Sequence, residues 1–379
     1  MTRSYTVLQV LPALDGGGVE RGTVEMVTAL AVRGELAVVA SAGGPMAREV
    51  EDAGGVHVEL PLKTKNPLAI LRNAGRLAEI IRRYNVDIVH ARSRAPAWSA
   101  YLAARRTNCP FVTTFHNAYG ASHPLKRLYN SVMAKGARVI AISDFVGDYA
   151  TQTYGVPHAI LRMVPRGVEI GRFDPAKVES ARVDGLRRAW HLPEGAVVVM
   201  LPGRLTRWKG QLVLIEALAH LGRKDIVCLM VGGGSGDYRH EIEDAAVRHR
   251  LGGAVRIVEH CRDMPAALML ADVVVSASTR PEGFGRVIVE AQAMGRPVIA
   301  TNHGGARESV IAGETGFLVP PGDSAALAQA ITQVLNLTPD QRMALAVREV
   351  DHVRAHFTTR TMTDAVIAVY DELMQGKAA

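Results

Sequence analysis

The stretch DVVVSASTRPEGFGRVIVEAQAMGRPVIATN, Asp272 to Asn302, reads as a strand, a glycine-broken loop, an apolar helix and a second strand. A strand, a helix and a strand in so short a span form the βαβ unit of a parallel sheet. The helix ends at Gly295, and Pro297 follows two residues on, as a buried helix requires. Two acids need a reason. Glu290 interrupts the apolar run and Glu282 stands in the loop before it, although a buried carboxylate is costly unless paired. The rise of the helix keeps Glu290 near the loop, so both carboxylates can reach one ligand. Hydroxyl pairs suit them, because a carboxylate accepts the two hydrogen bonds that a vicinal diol donates. The plain alternative for Glu290 is an i,i+4 pair with Arg286.

Outward from this stretch the same alternation fills the chain. One series of strands reads VLQVLPAL, LAVVAS, VHVELP, DIVHAR, FVTTFH and RVIAIS; a second reads VVVMLPG, IVCLMVG, VRIVE, DVVVSAS, PVIATN and GFLVP. The alternation pauses near PRGVEIGRFDPAK, and 379 residues exceed what one core usually supports. The expected fold is therefore α/β, with two Rossmann-like doubly wound domains facing across a cleft. The expected layout is residues 1–170, residues 171–357, and a terminal helix over 358–379 that returns toward the N-terminal domain. TPDQ, from Thr338, signals the start of the helical tail. Cys109, Cys228 and Cys261 have no metal-ligand spacing and cannot form a disulfide framework, which fits a reducing cytoplasm. The apolar run at the N-terminus is too short and too soon broken by glycine for a signal peptide.

Ligands of such sheets sit at the carboxyl ends of the strands, where helix N-termini point N–H groups outward. DGGGVER places Gly16, Gly17 and Gly18 between a strand and a helix, a turn that admits either an anion or nothing. In VVVMLPGRLTRWKGQ, Gly203 and Arg204 follow a strand and Lys209 sits beside a helix start, the outline of a diphosphate site. VGGGSGD, Val231 to Asp237 with Gly233 near its centre, again links strand to helix. None of these matches the dinucleotide fingerprint, so NAD is disfavoured.

Taken in order, these pieces resemble the retaining nucleotide-sugar glycosyltransferases of family 4, which have the GT-B fold. PEGFGRVIVE carries the E-x7-E motif in Glu282 and Glu290, GRLTRWKG looks like the G-R-x-x-x-x-K-G phosphate site, and TNHGGARESV and GETGFLVPPGD look like the closing segments. The resemblance implies that Glu290 holds the donor's ribose hydroxyls and that Glu282 contacts the transferred sugar. Backbone N–H groups around Phe284, Gly285 and Arg286 would meet the sugar and diphosphate. Arg204 and Lys209 would neutralise the departing nucleoside diphosphate, and His116 would lie near the donor sugar. Arg166, Glu259 and Asn117 depart from the family pattern and bear on donor identity. The chain contains no Asp-x-Asp, so metal-independent transfer with retention is expected, with no cofactor beyond the nucleotide-sugar co-substrate.

The net charge of +7 is uneven: residues 1–170 hold 20 Lys and Arg against 13 Asp and Glu, and the remainder balances. Between Lys63 and Arg138, 14 basic residues face two acids, Glu79 and Asp87. The helix NPLAILRNAGRLAEIIRRYN is expected to turn Leu71, Leu77, Ile81 and Tyr84 to the core and Arg72, Arg76 and Arg83 elsewhere. In the family this domain receives the acceptor, and the charge points to a glycan or lipid-linked acceptor at an anionic membrane, such as a lipopolysaccharide core. Nucleic acid is the rival partner, but no recognition pattern for it appears. A nucleotide-sugar epimerase and a non-catalytic nucleotide-sugar binder are the alternative functions.

Overall fold

The computed structural model describes residues 4–120 and 123–378. Its two parallel sheets account for every strand of both series. The first contains β1 (Thr6–Val10), β2 (Leu36–Ser41), β3 (Val56–Glu59), β4 (Ile88–Ala91), β5 (Phe111–Phe115), β6 (Arg138–Ala141) and β7 (Leu161–Met163), in the order β3-β2-β1-β4-β5-β6-β7. The second contains β8 (Val197–Pro202), β9 (Ile226–Val231), β10 (Val255–Val258), β11 (Val273–Ser276), β12 (Val298–Thr301) and β13 (Phe317–Val319), in the order β10-β9-β8-β11-β12-β13. β7 was not anticipated. It is a three-residue edge strand without a fully buried position, too short to show a period.

In each sheet the strand order reverses once, between β1 and β4 and between β8 and β11. At such a switch point the two flanking crossovers depart to opposite faces, leaving a crevice at the carboxyl ends. In the second sheet that crevice lies between the loop after β8, which holds Arg204 and Lys209, and the loop after β11, which holds Glu282. Gly210 shows how close the two loops come. Its φ is +78°, and a Cβ there would lie 1.9 Å from the carbonyl oxygen of Ala277.

The chain divides into one unit of Met1–Pro165 with Arg360–Ala379 and a second of Arg166–Thr359. The boundary falls slightly before residue 170 because Val168 is tied into the second unit. Its N–H donates to the Phe357 carbonyl at 2.8 Å, and its own carbonyl accepts from Thr359 N at 2.9 Å. Thr338 and Gln341 form a reciprocal cap on the helix Pro339–His356. The helix Thr359–Ala378 packs into the first unit. Its Tyr370 is fully buried, with the hydroxyl 2.6 Å from His90 Nδ1, and Thr114 meets the other ring nitrogen at 2.7 Å. Glu372 on the same helix pairs with Arg138 at 2.7 Å and Arg162 at 2.5 Å.

The helix Pro67–Arg83 departs from its sequence reading at Leu71, and Tyr84, its C-cap, is only half-buried. Leu77 and Ile81 are buried, but Leu71 is 48% exposed and Leu68 75% exposed. The inward stripe runs through Asn73, Ala74, Leu77, Ala78, Ile80 and Ile81, and Leu71 falls beside it. Of the 14 basic residues between Lys63 and Arg138, Arg92 is buried and Arg94 and Arg138 are half-buried, leaving 11 exposed.

Hydrogen bonds from Arg138 and Arg162 pull the Glu372 carboxyl down to about 2 from its ordinary 4.5. A depressed carboxylate pKa adds stability that is present above 4.5 and lost as the pH falls toward 2. Glu372→Gln should therefore lower Tm at neutral pH, and thermal unfolding across pH should show the gap from wild type closing below about pH 4.

Candidate donor-binding site

Glu282 is the more deeply buried of the two acids, at 8% exposure. Lys209 Nζ donates to its Oε2 at 2.8 Å, Ser278 Oγ donates to its Oε1, and Ser276 Oγ lies 3.4 Å from that same oxygen. Both side chains of the ion pair are largely buried, and Lys209 also lies over the Trp208 ring. The loop is held from its other side by the Glu282 carbonyl, which accepts from Gly305 N at 2.8 Å. Gly304 permits this approach, since a Cβ there would lie 2.7 Å from the Glu282 carbonyl oxygen.

Glu290 lies in the helix Arg286–Ala293, and its Oε1 accepts from Arg286 Nη2 at 3.0 Å. The plain i,i+4 pair is thus present. It engages a carboxylate whose side chain is 14% exposed. Phe284 is buried and stacks edge-on with Phe357, which fixes the loop between the acids. Gly285 caps the helix without a side chain, and Gly210 does the same for the helix Gln211–Leu221. Asn66, Ser143, Asp263, Asp323 and Thr338, by contrast, cap their helices with side-chain oxygens. Neither N-cap beside Lys209 and Glu282 carries a side chain, although the Tyr238 hydroxyl takes the Leu212 N–H in the first turn of the helix Gln211–Leu221.

Arg204 is exposed at the end of β8, and its guanidinium makes no hydrogen bond among the described residues. Gly203 precedes it. The Gly233 carbonyl accepts from Leu205 N at 2.9 Å, lacing the loops after β8 and β9 together. At the ends of β9 and β10 a cavity of about 530 Å³ is lined by Gly232, Glu259, His260 and Arg262, and Glu259 is paired with Arg239 at 2.7 Å. A larger hollow of about 710 Å³ opens at the opposite, amino ends of β8 and β9, among Pro193, Arg223 and Arg250, remote from these loops. Among the described residues no three His, Cys, Asp or Glu side chains cluster as metal ligands would.

The first unit has strand-end residues of its own. Gly16, Gly17 and Gly18 lead into the helix Gly18–Val32, capped by Gly17 without a side chain. His116 follows β5, half-buried, with its backbone N–H donating to the Tyr119 hydroxyl at 3.2 Å.

Sequence reasoning passed over Ser276, Ser278 and His303. Two serines ending a strand look like ordinary strand residues, and only the fold shows that their hydroxyls meet Glu282. His303 follows β12, the same strand-end position that singled out His116. Burial holds its imidazole below the usual histidine value, against a hydrogen bond to the Ser278 backbone and the nearby charge of Glu282.

Glycosyltransferase Family 4 matches residues 16–172 and Glycosyl transferases group 1 matches residues 183–348. A D-inositol 3-phosphate glycosyltransferase of Saccharomonospora viridis is 31% identical over 76% of this chain and 70% of its own. The chain belongs to the group 1 and family 4 glycosyltransferases. A glycosyltransferase structure from Rickettsia africae ESF-5 superposes on this glycosyltransferase with a TM-score of 0.90 at 38% identity, covering 98% of this chain and 99% of that one. The structure of Anabaena Alr3699/HepE in complex with UDP-glucose gives 0.85 at 25% identity, covering 97% and 99%. The fold of this glycosyltransferase is thus GT-B, and its relatives favour sugar transfer over epimerisation.

Removing one partner of a largely buried ion pair strands the other. Glu282→Ala is therefore expected to cost about 2–3 kcal/mol in urea unfolding. An unchanged unfolding midpoint would contradict the role of the pair.

Proposed function

We propose that this glycosyltransferase moves a hexose-type sugar, with retention and without a metal, from a nucleoside diphosphate sugar to a glycan or lipid-linked acceptor of the cell envelope, as in lipopolysaccharide core synthesis. The carrying observation is the Lys209–Glu282 pair at the switch point of the second sheet, beside two helix starts that lack side-chain caps. Glu282, oriented by Ser278 and Ser276, would accept hydrogen bonds from the transferred sugar. Glu290 would hold the ribose hydroxyls, keeping Arg286 as its neighbour. Lys209 would stand between the sugar-holding carboxylate and the leaving diphosphate, and Arg204 would add a forked contact to phosphate oxygens. Gly203, Gly233 and the backbone around Phe284, Gly285 and Arg286 would line the donor.

Retention follows in this reading from attack on the face the diphosphate leaves, the departing phosphate taking the acceptor's proton. Glu282 is already engaged with a lysine and two hydroxyls, which supports a role in binding rather than as a covalent nucleophile. The setting would be the inner face of the cytoplasmic membrane, with the enzyme bound peripherally. Among the described residues no helix is long and apolar enough to cross a membrane.

A panel of UDP-, GDP- and ADP-sugars, assayed for slow hydrolysis, tests the reading. UDP-sugars head it because the Anabaena relative was crystallised with UDP-glucose. Glu290→Ala should weaken nucleotide binding about tenfold by calorimetry, and Lys209→Ala should depress turnover roughly a hundredfold. Wild-type constants in both variants would refute the assignment.

A further inference from the structure

Four large apolar side chains stand out on the first unit. Leu68 and Leu71, on the helix Pro67–Arg83, are joined by Leu125 and Leu128, on the helix Pro124–Asn130, which are 70% and 63% exposed. Each pair is spaced i,i+3, so its members share one side of their helix. A single exposed leucine needs no reason, but two matched pairs do.

The two helices come together on a third. Both rest on the first turns of the helix Arg94–Thr107: Ser99 Oγ donates to the Ile70 carbonyl at 3.1 Å, and Trp98 Nε1 donates to the Tyr129 carbonyl at 2.8 Å. All three lie in the crossovers that carry the chain from β3 through β4 and β5 to β6. These crossovers run in one direction over the sheet, so right-handed connection puts all three helices on the same face. Exposed Arg72, Arg76, Lys126 and Arg127 lie on the same two helices as the leucines and exposed Lys65 just before the first, and Glu79 is the one acid on those helices.

We infer that this face docks on an anionic lipid bilayer, with the leucines entering the interface and the Lys and Arg side chains meeting lipid phosphates. The charge argues against a second copy of the chain, because a two-fold interface would press the same cations against one another. It argues less against nucleic acid, but a phosphate backbone offers the leucines nothing apolar to enter. This inference rests on the lipid-linked acceptor reading and gives it a surface.

Flotation of the full-length protein tests it, using vesicles of phosphatidylcholine alone or mixed with phosphatidylglycerol. Wild type should float with the anionic vesicles and remain below with the neutral ones. The variant with Leu68→Ser, Leu71→Ser, Leu125→Ser and Leu128→Ser should lose about tenfold or more of the bound fraction, with its slow nucleotide-sugar hydrolysis unchanged. A second variant, Arg72→Glu with Arg76→Glu, should lose binding most at low salt. The inference is overturned if the leucine variant floats as wild type does, if wild type ignores anionic vesicles, or if wild type sediments as a dimer that the leucine variant dissolves. Failure of hydrolysis with flotation intact would strike the transfer reading instead.

Discussion

Glu282 can remain buried at a strand end only while Lys209, far away in sequence, meets it. That meeting is a property of strand order. The loops after β8 and β11 are neighbours because the sheet reverses direction between those strands, whose crossovers leave to opposite faces. Gly210 and Gly304 then remove the side chains that would hold the loops apart. The pair is chemically useful for the same reason that it is structurally demanding: a lysine and a carboxylate in a water-poor crevice, next to two helix starts without side-chain caps, give a sugar its acceptors and a diphosphate its counter-charge in one place.

The fold was legible because periodicity and strand composition are local properties, and twelve of the strands carry enough apolar residues to declare themselves. β7 did not, since three residues ending in exposed Met163 display no alternation. The acids and cations of the candidate site were legible for a related reason: charged residues at the junction of a strand and a helix violate the expected pattern. Ser276 and Ser278 violate nothing. Their part in holding Glu282 depends on how the loop after β11 folds back, which composition does not encode.

Leu71 illustrates the opposite failure. A helical net of Pro67–Arg83 offers more than one apolar stripe, and a leucine beside the true one looks the same as a core residue until neighbouring elements are in place. The basic count between Lys63 and Arg138 was similarly blurred. Sequence adds Arg138 to the surface charge, but the fold gives it to Glu372, and it encloses Arg92 altogether.

The final helix has a consequence for how the protein is made. Met362, Val366, Ile367, Val369 and Tyr370 belong to the same apolar cluster as Val7, Leu30 and Ile88. The first sheet therefore emerges from the ribosome long before the residues that close its interior are synthesised. The second unit, continuous in sequence, has all of its own residues available earlier. During translation the amino-terminal half must wait with part of its interior open to solvent, the kind of interval in which nascent chains depend on chaperones.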